Sequence, residues 1–332
     1  MNCRHCGTEL KQTFIDLGVA PPSNAYLTID DLASPEMHFP LKLKVCDNCR
    51  LVQTEDYAEA DQLFKHDYAY FSSISRMWLE HAALYTDAIT EKLKLTQESF
   101  VIEVACNDGY LLRNFVARKI PCLGIEPTAS TAEAAEARGI PVIQRFFGKT
   151  LAEKLRNEGR QADLLIGNNV LAHVPDINDF VAGLKIALKP HGTITLEFPH
   201  LMRLIQHSQF DTIYHEHFSY LSLGTALRIL DHGDLRIFHV EELPTHGGSL
   251  RIYACHSNDQ RPTTEAIRTL LDSEKSFGLS DLGVYAAFQH KAERIKNELL
   301  QFLLEQKRSG RKIAAYGAAA KGNTLLNYGI KP

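Results

Sequence analysis

Val101-Ile102-Glu103-Val104-Ala105-Cys106-Asn107-Asp108-Gly109-Tyr110 is the stretch on which the fold turns. Val101 to Val104 is a short apolar, β-branched run, the pattern of a buried strand. Ala105 to Gly109 is a turn of small and polar residues, and Leu111 to Val116 returns to a helical pattern. A strand, a tight turn and a helix together make a nucleotide-type cradle. The side chains do not suit a dinucleotide, whose fingerprint needs glycines where backbone approaches a pyrophosphate. Ala105 and Asn107 stand at two of those positions, and Asp108 adds a negative charge. That charge repels pyrophosphate and favours a ligand with an amino group or a sulfonium, both of which S-adenosylmethionine (SAM) carries. The next strand, Cys122 to Ile125, runs into Glu126 and Pro127. An acid at the end of the second strand is where a ribose diol is held.

The alternation continues outward. Strands are expected at 100–104, 121–125, 141–143, 163–167 and 193–198, with helices near 110–118, 129–138, 148–158 and 176–188. This is the pattern of an α/β fold with a parallel sheet covered on both faces. Ligands in such sheets sit beyond the carboxyl ends of the strands. Asn168, Asn169 and His173, which follow the strand at 163–167, are therefore expected beside Glu103, Ala105, Asn107, Asp108, Gly109, Glu126 and Pro127 as cofactor contacts.

Composition narrows the class. At 332 residues the chain is long enough for two or three domains. A net charge of −4 argues against a general nucleic-acid binder. No run approaches a membrane span, and the N-terminus has no apolar signal core. Seven cysteines in that setting suggest a reducing cytoplasm and metal or thiol chemistry.

Four of those cysteines form two C-x-x-C pairs, Cys3/Cys6 and Cys46/Cys49. Four thiolates complete a tetrahedral zinc site and leave no open position, so the metal is expected to be structural. His5, between the first pair, reads as solvated. Residues 1–57 are expected to be a metal-stapled domain with little core of their own. Residues 58–225 follow as the SAM domain, opening with a helical lid interrupted at His66 to Ser73. In that interruption Tyr68 and Tyr70 offer phenols, and Met77 to Leu95 reads as an amphipathic helix.

Asp211 to Tyr220 packs histidines, an acid and aromatics together: Tyr214, His215, Glu216 and His217 lie in one run. Such density suits a pocket wall that exchanges protons with a polar substrate. After residue 225 the texture changes. Leu235–Glu241 and Ser249–Cys255 look like paired strands around the turn His246-Gly247-Gly248. Residues 263–309 are charged and helical, and Lys312–Tyr316 reads as a strand. Lys321 and Asn323 then sit in a small-residue helix start that could receive an anion. Residues 226–332 are expected to be a C-terminal Rossmann-like domain, truncated after one strand and the start of one helix. His200, His246, Lys321 and Asn323 are the candidate substrate contacts.

These motifs together resemble the zinc-containing sugar C-methyltransferases. The resemblance runs through both C-x-x-C pairs, Asp67–Ser73, Glu103–Gly109, Gly124–Pro127, Asn168–His173, Tyr214–Tyr220, His246–Ser249 and Gly317–Thr324. It implies SAM-dependent C-methylation of a nucleotide-activated 4-keto-deoxysugar, at C-3, in branched-sugar biosynthesis. It also implies that His217 is the base, with Tyr214, Glu216 and either Tyr68 or Tyr70 around it. Ala105 departs from the glycine more usual in that family. The chemistry is coherent: a sugar carbon becomes a nucleophile only beside a ketone, once a base has removed its proton. The alternatives are an O- or N-methyltransferase acting on another small molecule, which would need no carbon acid, and a silent SAM-binding scaffold.

Overall fold

The computed structural model describes residues 1–24, 26–55, 70–317 and 319–330. Its strands are β1 (Gln12–Ala20), β2 (Phe39–Val45), β3 (Val52–Thr54), β4 (Val101–Val104), β5 (Cys122–Ile125), β6 (Val142–Ile143), β7 (Ala162–Asn168), β8 (Leu188–Pro199), β9 (Ser219–Tyr220), β10 (Leu235–Leu243) and β11 (Ser249–His256).

Seven strands form the main sheet in the order β10-β11-β8-β7-β4-β5-β6. From β6 to β8 every pairing is parallel. Helices on both faces bury these strands, which explains their largely apolar runs; all four residues of β4 are buried, Glu103 among them. Neighbours β5 and β7 are reached by connections on opposite sides of β4, so the crevice that receives ligands opens at the carboxyl end of β4.

β11 pairs antiparallel with β8, and β10 with β11. These two strands lie past residue 225, yet they extend the same sheet. Helices Leu223–His232 and Glu265–Phe277 pack behind them, burying Ile229, Leu230, Ile267 and Leu270.

The second sheet has the order β1-β2-β3-β9. Phe14, Ile15, Leu41 and Leu43 from its buried face pack against Leu201, Ile205, Tyr285 and Phe288. Phe14 stacks flat on Phe288 at 4.7 Å, so helix Phe288–Arg308 supplies part of the core that residues 1–55 lack. β9 carries the chain back from the main sheet to pair with β3. His5 is also tied in rather than solvated: its Nδ1 lies 2.9 Å from Asn178 Oδ1, and its ring meets His232 edge-on.

Helix ends follow local chemistry. Ser75 caps helix Arg76–Leu93 by accepting from Trp78 N, and Asp176 caps Ile177–Ala187 through Asp179 N. One expected element is missing. Lys312–Tyr316 forms no strand and is exposed throughout. An isolated run has no edge to satisfy its backbone groups, whatever its propensity. Helix Ala319–Gly329 follows it and packs on β1 and on Phe210–Thr212.

Candidate active site

A cavity of about 1200 Å³ opens over the carboxyl ends of β4, β5 and β7. Ala105 and Asn107 line its floor, and in the loop that carries them, Ala105–Gly109, every second residue is left-handed: Ala105 at φ +56°, Asn107 at +50° and Gly109 at +76°. Backbone N–H groups of the loop are already used: Cys106 N donates to Ile125 O, Asn107 N to Glu126 and Gly109 N to Cys106 O. Gly109 is fixed by space as well, since a Cβ there would lie 2.3 Å from Ile140 Cδ1. Glu126 lines the cavity with its carboxylate already oriented. It accepts from Asn107 N at 2.9 Å, Thr128 N at 3.1 Å and Thr128 Oγ1 at 2.6 Å.

Of the expected cofactor contacts, Ala105, Asn107, Glu126, Pro127, Asn168, Asn169 and His173 line this cavity. Glu103, Asp108 and Gly109 lie behind its wall. Glu103 is fully enclosed, and burial beside Glu126 and Asp108 pushes its carboxyl well above the usual carboxylate range. Asp108 corrects the sequence reading, because its charge does not face a ligand. It is buried and accepts from Ser73 N at 3.3 Å and from the Ser73 hydroxyl. It also pairs with Arg138 at 3.5 Å.

Asn107 grips the same segment. Its Oδ1 accepts from Ser72 N at 2.8 Å and its Nδ2 donates to Tyr70 O at 2.9 Å. The two polar residues of the loop thus clamp residues 70–73 over it. Tyr70 lines the cavity, and burial, helped by Asp108, raises its phenol, which stays a proton donor at neutral pH. Tyr68, with the rest of the expected lid at 58–69, lies outside the described residues.

The opposite wall is Tyr214, Glu216, His217 and Phe218. His217 N donates to Tyr214 O at 3.0 Å, so a turn, not an extended run, separates the two histidines. His215 faces away, with Nε2 at 3.2 Å from the carbonyls of Phe39 and Pro40. His217 Nδ1 sits 3.1 Å from Thr212 O. A carbonyl only accepts, so Nδ1 carries the proton and Nε2 keeps the lone pair. Burial holds the His217 imidazole well below its ordinary pKa, with His173 adding to the effect. It is therefore neutral at pH 7.

Glu216, expected around His217, is held by the zinc lobe: Asn24 Nδ2 donates to both its oxygens at 2.8 Å and Ser23 Oγ to one at 3.2 Å. The ring of His217 meets those of Tyr214 at 4.1 Å and His173 at 4.6 Å. Burial pushes His173 down to about 4 and raises the Tyr214 phenol.

His246 and Lys321 reach the cavity, and burial lowers the His246 pKa too. His200 and Asn323 do not reach it. His200 is buried against Glu274 at 2.8 Å, and Asn323 Nδ2 donates to Pro21 O at 3.0 Å. Sequence reasoning missed Asn24, Trp78 and Arg145. Trp78, the only tryptophan, was the one with a signal; nothing local marked the other two.

The four cysteines come together as expected. Their sulfurs all lie within 4.8 Å of one another, with Cys3–Cys49 and Cys6–Cys46 at 3.5 Å. Zinc–sulfur bonds of about 2.3 Å in a tetrahedron need spacings of about 3.8 Å, so the set fits zinc. Gln53 Nε2 supports it by donating to Cys3 Sγ at 3.3 Å.

Over 324 residues the chain is 31% identical to the C-methyltransferase NovU of Streptomyces niveus, covering 98% of this chain and 77% of the relative. It belongs to the C-methyltransferase family. Family models agree along its length: a zinc binding domain matches residues 3–64, a methyltransferase domain 77–240 and a C-methyltransferase C-terminal domain 244–332. A shorter likeness, 25% over 93 residues and 38% of the relative, is to a ubiquinone biosynthesis O-methyltransferase of Bartonella tribocorum. Among solved structures, a SAM-dependent methyltransferase from Clostridium acetobutylicum covers 54% of this chain and 92% of its own, with TM-score 0.43 and 11% identity. This C-methyltransferase therefore uses SAM, on an α/β fold with an N-terminal four-cysteine zinc-binding region. No helix among the described residues is long and apolar enough to cross a membrane.

Proposed function

We propose that this C-methyltransferase methylates C-3 of a nucleotide-activated 4-keto-deoxysugar, with His217 as the base. The observation that carries the reading is the state of His217. Its imidazole is neutral, its proton is committed to Thr212 O, and it faces the cavity above the SAM loop. Transfer to oxygen or nitrogen would not need such a base at a carbon acid.

SAM supplies an electrophilic methyl group. Ala105, Asn107 and Glu126 would hold the donor, with the Glu126 carboxylate accepting from its ribose hydroxyls. His217 Nε2 takes the proton from the carbon beside the ketone. The C–H electron pair becomes the enolate double bond, and the carbonyl π pair moves onto oxygen. Phenols of Tyr214 and Tyr70, both held protonated, donate to that oxygen. The enolate carbon then bonds to the methyl group, and the old methyl–sulfur pair leaves with sulfur. Lys321 meets the negative charge of the nucleotide end.

The test is exchange of the α-proton in heavy water, using a nucleotide 4-keto-sugar with S-adenosylhomocysteine present so that no methyl moves. Wild type and His215→Asn should exchange alike. His217→Asn should be about a hundredfold to ten-thousandfold slower. Exchange by His217→Asn at the wild-type rate would place the base elsewhere.

A further inference from the structure

Glu197 has no solvent exposure, yet its two oxygens meet donors from three separate parts of the chain. Arg251 Nη2 on β11 donates at 2.7 Å and Thr245 Oγ1 at 3.0 Å. His81 Nε2, from helix Arg76–Leu93, lies 3.0 and 3.1 Å from the two oxygens and 3.1 Å from Arg251 Nη2; two carboxylate oxygens only accept, so Nε2 carries the proton toward them. One arginine is enough to neutralise one carboxylate, so charge balance does not account for the other two donors.

What those donors share is their neighbours. The His81 ring stacks on the indole of Trp78 at 4.9 Å and 18°, one turn back on the same helix face. Trp78 also lies along Tyr110 at 5.9 Å and meets His246, the residue after Thr245, edge-on at 5.2 Å. Trp78, Tyr110 and His246 are cavity wall, while Glu197, His81 and Thr245 stand behind it.

We propose that Glu197 is a positioning residue for the methyl donor, holding Trp78 against the donor end of the cavity through His81. This rests on Ala105, Asn107 and Glu126 holding the donor, as proposed above. An indole on a helix face has two free torsions. Stacked on an imidazole that is itself tied to a buried carboxylate, it has one plane. A wall set in advance removes the ordering cost that binding would otherwise carry.

Trp78 is the only tryptophan in the 332 residues, so intrinsic tryptophan fluorescence reads this ring alone. The probe is S-adenosylhomocysteine, titrated against wild type, His81→Phe, His81→Gln and Tyr85→Phe, with acrylamide quenching measured on each. His81→Phe keeps a flat ring on Trp78 but cannot donate to Glu197. It should weaken binding about tenfold, the scale of one hydrogen bond to a charged group, and make Trp78 more quenchable. His81→Gln, with an amide N–H near the place of Nε2–H, should recover most of the affinity. Tyr85→Phe deletes a buried hydroxyl bonded to Thr195 at 2.6 Å and keeps the ring over which Arg251 lies at 4.5 Å, so no contact of Glu197 is removed. It should lower stability while leaving both readouts at wild type.

Equal affinity and equal quenching for His81→Phe and Tyr85→Phe would reduce the chain to ordinary packing and overturn the proposal. So would binding to wild type that leaves Trp78 emission unchanged. Glu126→Ala separates this from the donor placement. If it weakens binding while Trp78 does not respond, only the present inference falls; if it too is without effect, the placement falls first.

Discussion

Gly109→Ala should destabilise the protein through two effects that can be separated, a backbone cost and a side-chain clash. The residue sits at φ +76°, where a side chain costs about 1–2 kcal/mol. The new Cβ would also lie 2.3 Å from Ile140 Cδ1 and 3.2 Å from Ala135 Cβ. Overpacking of that kind costs about 1–3 kcal/mol, so the single change should lose roughly 2–5 kcal/mol. Ile140→Val deletes Cδ1, the atom struck, and alone costs about 0.5–1.5 kcal/mol. The double variant should therefore be less damaged than the sum, with a favourable coupling of about 1–2 kcal/mol. Urea unfolding of the four proteins measures it. Additivity within about 0.5 kcal/mol would refute the reasoning, because the strain would then be in the backbone alone.

Two further outcomes follow from the buried groups. His173 has a folded pKa of about 4 against an ordinary 6.5, so its contribution is intact above pH 6.5 and is lost as pH falls toward 4, by about 3 kcal/mol in all; urea midpoints from pH 7.5 to 4.5 should fall less steeply in His173→Asn, and parallel slopes would contradict this. Replacing Cys46 and Cys49 together by serine should abolish zinc retention and lower a single thermal transition of the whole chain, because Cys3, Cys46 and Cys49 share a core with Leu171 and Ile229; a separate early transition that leaves the rest intact would count against it.

The parallel half of the main sheet was legible because strands buried on both faces are mostly apolar, and β4, β5 and β7 are, apart from Glu103, Asp163 and Asn168. The four cysteines were legible because metal geometry dictates spacing. The pairing of β11 with β8 was not, since a hairpin pattern around His246-Gly247-Gly248 does not say which sheet edge it joins. Lys312–Tyr316 misled for the related reason that propensity cannot supply a partner strand. In the site, Asn107 and Glu126 were readable as parts of a known loop type. The burial of Asp108 was not, because it depends on Ser73 and Arg138, which are distant in sequence. The tautomer of His217 is set by the carbonyl of Thr212, and a backbone acceptor leaves no trace in residue identity. The hold of Ser23 and Asn24 on Glu216 was not legible either, since those partners lie nearly two hundred positions away.

β9 is only two residues long, yet it pairs Val52 with Tyr220 and Gln53 with Ser219, immediately after the segment that carries His217. Asn24 reaches across to Glu216 in the same segment. The zinc lobe and the wall that carries His217 are thus one heritable unit. Recombination that exchanged the first fifty-five residues between relatives would have to exchange Tyr214–Tyr220 with them, or else rebuild the shared strand pairing and the amide–carboxylate contact from mismatched parents. The natural crossover point for making hybrids lies further on, in the surface connections of the main sheet.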